Sequence, residues 1–279
     1  MSVAERLLAP DWPAWRALSM AAPTAPLASV LAELPLERWP THADWSRAAQ
    51  ARGIRNSRGL PLRFVAPATP PPGALDFERR IDQAGEVETR PACWHDAFHA
   101  CAWLTFPQAK ARINALHVAE GQDDSPNRRS VVRNVLTLID EGGLIVVSAA
   151  AEPLELMRGF RWHELFWNKR ESVKHSMAFV IFGHALHERA LGMQHGATGR
   201  GVLLRVAPDW FDLDTDARVR DLDRGLCDVL DDRALLTAPG FIQPVPIKGI
   251  PGWARENVDE AYYFDTAQFC TGRRVTPAC

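Results

Sequence analysis

Two histidines four residues apart, with a carboxylate directly after the first, stand in "WHDAFHACAWLTFP", residues 94–107. On an α-helix such residues share a face, with β-carbons roughly 5–6 Å apart, so His95 and His99 are placed to chelate one divalent metal such as zinc. The run differs from the zinc-protease pattern H-E-x-x-H in one residue type: Asp96 stands where that pattern has the glutamate that acts as general base. Aspartate is shorter by one methylene, about 1.5 Å of reach, which matters where a base must come within about 3 Å of a metal-bound water. Two readings stay open here. Asp96 is a base or ligand beside a metal, or it pairs structurally with a cation such as Arg90 or Lys110 while the histidines sit satisfied beside Trp94, Phe98 and Trp103.

A second cluster is "HALHE", where His184 pairs with Glu188 one helical turn on and His187 lies three residues from His184. Either pair supplies ligands or an acid–base dyad. The apolar "MAFVIF" before it predicts that His184 is at least half buried and needs a partner. Asp140 and Glu141 in "LIDEGG" read as turn residues, because aspartate and glycine are what such a turn demands. The glycines of "GATGRG" from Gly196 precede a strand and lack the helix N-terminus of a phosphate cradle. No G-x-S-x-G elbow appears, which removes the usual serine hydrolase. Lys169, Arg170 and Lys174 beside Trp167 read as a solvated helix end.

The positioning elements follow from periodicity. Helices are predicted for "PLASVLAEL", for "THADWSRAAQARG" with Thr41 as N-cap and Gly53 as stop, for "LDFERRIDQAG", for the histidine run, and for "PQAKARINALHVAEG" restarted by Pro107. "EGQDDSPNRR" from Glu120 reads as a solvated loop. "VLTLIDEGGLIVVS" is expected to run from a short helix into a hairpin around "EGG", and "SVKHSMAFVIFGHALHERAL" to form a core helix. "LPLRFVAP" and "GRGVLLRV" read as strands, and "PVPIKGIPGW" as an irregular loop after the charged helix "DTDARVRDLDRGLCDVLDD". The sum is an α+β fold, a mainly helical single domain with a small sheet or hairpin. Trp12, Trp15, Trp39 and Trp45 should pin an N-terminal helical arm, residues 1–57, onto a main body over 58–279.

Bulk composition narrows the classes. The 279 residues are 47% hydrophobic, enough for a full core, and 34 acids against 32 bases leave a net charge of −2, which gives no field to attract nucleic acid. Five cysteines, an odd number without a C-x-x-C pair, suit reduced thiols in a cytoplasmic setting. The opening "MSVAERLLAPDWPAW" meets an acid and prolines before any signal-length apolar run, and no stretch approaches the roughly 18 apolar residues of a membrane span. No membrane partner is expected.

In order, "LRFVAP", "RIDQAGEVETRPACWHDAFHACAWLTFPQAKARINALH", "LTLIDEGGLIVVS", "FGHALHERAL", "GATGRG" and "PVPIKGIPGWARENVDEAYYFDT" resemble a bacterial family known as domain of unknown function 3025, over roughly residues 58–274. The resemblance implies a soluble bacterial protein and supplies no established activity, cofactor or catalytic residue. The family pattern has asparagine where His99 stands and aspartate where Asn134 stands, whereas His95, Asp96, His117, His184 and Glu188 match it. A site shared with the family therefore draws on those five before His99. The leading expectation is a metal-assisted hydrolase with a pocket between the helices of His95 and His184: His95, His117 and His184 as ligands, His99 behind them, and Asp96 or Glu188 activating water on an unidentified small molecule. The alternative is a non-catalytic binding or scaffold protein, its histidines and acids structural, whose tryptophans and Lys169–Lys174 patch meet a protein partner.

Overall fold

Thr41 opens the best-capped helix of the N-terminal region. Its hydroxyl accepts from the Asp44 backbone N–H at 3.3 Å, and the Asp44 carboxylate accepts from the Thr41 N–H at 2.8 Å. The two close a reciprocal box that satisfies otherwise orphaned donors. A computed structural model gives the architecture and describes residues 11–18, 22–69, 73–121, 130–191, 197–270 and 272. The opening segment before Asp11 and most of the expected loop after Glu120, residues 122–129, lie outside the described residues.

The helices are α1 (Trp12–Leu18), α2 (Ala28–Ala32), α3 (His42–Ala51), α4 (Ala74–Ala84), α5 (Trp94–Thr105), α6 (Pro107–Glu120), α7 (Val131–Gly142), α8 (Ala151–Arg158), α9 (Arg170–Ser176), α10 (His184–Leu191), α11 (Thr215–Asp231) and α12 (Arg233–Thr237). Strands β1 (Arg63–Val65) and β2 (Glu86–Glu88) pair in parallel. A four-stranded sheet takes the order β4-β3-β5-β6, from β3 (Gly143–Ser148), β4 (Met177–Ile181), β5 (Thr198–Arg205) and β6 (Gln243–Pro246). Its central pair β3 and β5 is parallel and both edges are antiparallel. The chain is thus a mainly helical α+β domain with two small sheets.

Every residue of β3 is buried, because helices and loops cover both faces. Leu144 and Val146 point into a core with Phe166, Ile181 and Val245, while Ile145 and Val147 point into another with Leu136, Ile139 and Leu226. A third core lies under the N-terminal segment, where Trp12 stacks on Trp94 at 5.8 Å between ring centroids and Trp94 on Phe98 at 5.5 Å. Trp12, Trp15, Trp45 and Trp94 are all buried, so they form no exposed partner surface. The Lys169–Lys174 patch is likewise occupied: Lys169 pairs with Glu152, Lys174 with Glu171, and Arg170 donates to the Asn257 carbonyl.

Three elements differ from the sequence expectation. No hairpin forms at "EGG": α7 continues through Gly142 and passes directly into β3, whose partners are β4 and β5. "MAFVI" is a strand between α9 and α10, since a short apolar run has no period that separates a buried strand from a buried helix. "QPVP" is an edge strand, the place in a sheet where prolines cost little.

The junctions at the sheet end bring the chemistry together. Gly183, between β4 and α10, donates to the Gly143 carbonyl at 2.9 Å. A β-carbon there would fall 2.4 Å from the Gly143 nitrogen and 2.5 Å from the Glu141 carbonyl oxygen. Backbone atoms cannot yield as side chains do, so Gly183→Ala should cost about 1–3 kcal/mol and draw α10 away from α7. Thermal melting tests this; an unchanged midpoint would mean that the junction relaxes freely.

Candidate active site

Helix α5 carries His95, Asp96 and His99, α10 begins at His184, and Asp140 sits in the last turn of α7. These five residues, with Pro67, Phe77, Glu78, Glu88, Arg90 and Glu141, line an open cleft of about 570 Å³. That is within the range of small-molecule sites.

His95 and His184, 89 residues apart in sequence, meet with their Nε2 atoms 3.1 Å apart. On its other side His95 Nδ1 is 3.2 Å from Glu188 Oε2. On its other side His184 Nδ1 is 3.7 Å from Asp140 Oδ2, and it is buried without a well-formed hydrogen bond. The second oxygen of Asp140 takes the Nζ of Lys110, whose side chain is 3% exposed and lies over the Trp103 ring. One ligand atom each from His99, Asp140 and His184 lies within 4.8 Å of the other two, the one such metal-type group among the described residues.

The electrostatics keep the His99 and His184 rings unprotonated and the Asp140 carboxylate charged. Burial drives His184 down to about 4, against the partial support of Asp140. Burial, with Lys110 adding to it, holds His99 well below the usual imidazole range. For Asp140 burial alone would raise the pKa, but Lys110 outweighs it and holds the carboxyl well below the usual range. Neutral imidazole and ionised carboxylate are the states in which such groups ligate a metal.

The expected residues divide. His95, His99 and His184 gather at the cleft, and His99 is as close to the cluster as any of them. Glu188 is at its edge, holding His95. His117 is a correction: it is buried on α6 and does not line the cleft. From α6, Lys110 reaches Asp140 and Asn114 reaches Glu78, whereas His117 lies two turns beyond Lys110, roughly 10 Å along the axis at about 1.5 Å per residue. Asp96 lines the cleft but sits in a fork with Arg90, accepting from Nη2 at 2.8 Å, Nε at 2.9 Å and the backbone N–H at 2.6 Å. Burial would raise its pKa, yet Arg90 holds it below the ordinary value, which leaves a poor proton acceptor. The cation partner foreseen for Asp96 is thus Arg90, and Lys110 serves Asp140 instead. Asp140 lies in the last turn of α7 rather than in a loop turn, and its neighbours in "LIDEGG" are turn formers, so nothing local marks it as a ligand.

A family model described as protein of unknown function (DUF3025) matches residues 62–273, most of the chain. The chain belongs to the DUF3025 family. No curated protein and no solved structure matches it. All of the cleft residues just named lie inside the matched span of this DUF3025 member, as do α4 to α11. No described helix is long and apolar enough to cross a membrane.

Proposed function

We propose that the cleft holds a divalent metal, zinc for example, on His99, Asp140 and His184, and that the protein is a metal-assisted hydrolase. A proton count supports this reading. Glu188, His95, His184 and Asp140 form a chain with three gaps, of 3.2, 3.1 and 3.7 Å. Lone pairs face one another across each gap unless a hydrogen or an ion lies between them. Two neutral imidazoles bring two N–H groups, one fewer than the gaps require. The deficit is met by a third proton or by a metal ion. Burial of His184, which lowers its pKa to about 4, keeps a second proton off that ring, so a third proton would have to sit on His95, between Glu188 and His184. What favours the ion is the grouping of His99, Asp140 and His184.

The ion fits the widest gap. A nitrogen and an oxygen each about 2.0–2.2 Å from a tetrahedral zinc stand about 3.4 Å apart, close to the 3.7 Å found between His184 Nδ1 and Asp140 Oδ2. The two N–H groups then serve the other gaps, His95 donating to Glu188 and His184 to His95. Two histidines and one carboxylate leave a fourth position open for water, the ligand pattern of catalytic rather than structural zinc. Lys110 behind Asp140, and Glu188 with His95 behind His184, orient the ligands from outside. The ion polarises a bound water, and the cleft admits a substrate of small-molecule size.

Elemental analysis of protein purified without a histidine tag should find about one zinc per chain, and His184→Ala should lose it. His95→Ala should weaken binding rather than abolish it, about 10–100-fold, as expected of a group that orients a ligand. Metal absent from the folded wild type would end this reading and favour the non-catalytic one.

A further inference from the structure

A hydrolytic site of this kind needs a group that takes a proton from the attacking water and returns it to the leaving group. Of the five carboxylates lining the cleft, three are ion-paired: Asp96 with Arg90, Asp140 with Lys110, and Glu88 with Arg80. Glu141 is exposed to solvent. Glu78, on α4, is partly buried at the cleft wall and makes no ion pair with a cation among the described residues. One Glu78 oxygen accepts from Asn114 Nδ2 at 2.6 Å, and that amide also holds the Glu78 carbonyl at 2.9 Å. Asn114 is itself 2% exposed, so the carboxylate is fixed on a buried support.

We propose that Glu78 is the proton-transfer residue of the cleft, an inference that rests on the metal reading above. A Glu78 oxygen takes a proton from the water as that water's oxygen bonds to the electrophilic carbon or phosphorus of the substrate. The bond to the leaving group then breaks, the leaving group keeps the electron pair, and the proton passes to it from Glu78. Charge and atoms balance with water as the sole co-reactant. The groups around Glu78 allow it to hold a proton in either direction near neutrality. Burial raises its carboxyl to about 7, the Asn114 hydrogen bond opposes that rise, Asp140 on α7 adds to it, and Lys110 on α6 and Arg133 on α7 lessen it. On β2, the other element packed against α4, Glu88 is spent on Arg80. Nothing in "LDFERRIDQAG" separates Glu78 from Asp76 or Asp82; only the cleft does.

The test uses cobalt(II) as probe, because its visible absorption reports ionisation beside the metal without any substrate. Wild type loaded with cobalt should show a spectral step near neutral pH. Glu78→Gln, which keeps the shape and the acceptor for Asn114, should still bind cobalt but lose that step or move it by more than about one pH unit. Glu78→Asp should restore a step. Cobalt bound by both with identical titrations overturns the role of Glu78 and leaves the metal reading standing. Cobalt lost on Glu78→Gln in a protein that keeps its melting temperature makes Glu78 a ligand, which also overturns it. Cobalt bound by neither removes the metal and this role together.

Discussion

Lys110→Met should destabilise the protein by about 3–5 kcal/mol, because it leaves the carboxylate of Asp140 buried without its cation. Methionine keeps the length of the lysine stem and a favourable contact with the Trp103 ring, so the loss is electrostatic rather than steric. Lys110 is 2% exposed and holds Asp140 from the buried side, while the Asp140 side chain, 14% exposed, keeps one edge on the cleft. Two companion measurements make the result specific. The double variant Lys110→Met, Asp140→Asn should recover most of the loss in a denaturant melt, since the orphaned charge is gone. Added zinc should raise the melting temperature of Lys110→Met more than that of wild type, because a divalent ion then becomes the only cation available to Asp140. A loss below about 1 kcal/mol would show that the pair is solvated and marginal.

Acidification should unfold the metal-free protein well before most carboxylates titrate, and His187 should account for a large part of the slope. His187 is 3% exposed, stacked on Phe98 at 5.2 Å, and burial drives its pKa down to about 3 despite support from the Ile181 carbonyl. Above the unfolded value of about 6.5 the ring is neutral in both states and contributes no pH dependence. Below it the unfolded chain takes up a proton that the folded chain refuses, so stability falls as pH falls, by about 1.4 kcal/mol per pH unit, until the folded value is reached. Between pH 6.5 and 4.5 this one group therefore removes about 2.7 kcal/mol, to order of magnitude. His184, lowered to about 4, adds a similar term over the same window. Chelated wild type and His187→Leu, melted in denaturant across that range, should differ in slope by about one proton, whatever packing cost leucine adds at pH 8. Parallel slopes would mean that His187 is protonated in the folded state.

Local order was legible in the chain itself. The Thr41 cap, the restart at Pro107 and the helix that sets His95 and His99 on one face depend on interactions within a turn or two, and the residues that make them are adjacent in sequence. So was the presence of two histidine clusters with acids beside them. Their meeting was an expectation of the family resemblance and residue types, but the path that brings them together was not legible, because it depends on β4 running antiparallel to β3, so that α10 starts beside the end of α7. "MAFVIF" could not announce that strand, since a fully buried strand and a buried helix are equally apolar. The same holds for partners. Asp96 and Asp140 are both aspartates near histidines in space, yet Arg90 claims the first, while Lys110 claims only one oxygen of the second. Which acid faces His184, and which glutamate stays without a cation, is decided by burial and by long-range neighbours. The sequence lists the groups that can titrate or ligate; their charge state and their reach belong to the tertiary structure, because desolvation and Coulomb energy depend on distances that no spacing along the chain encodes.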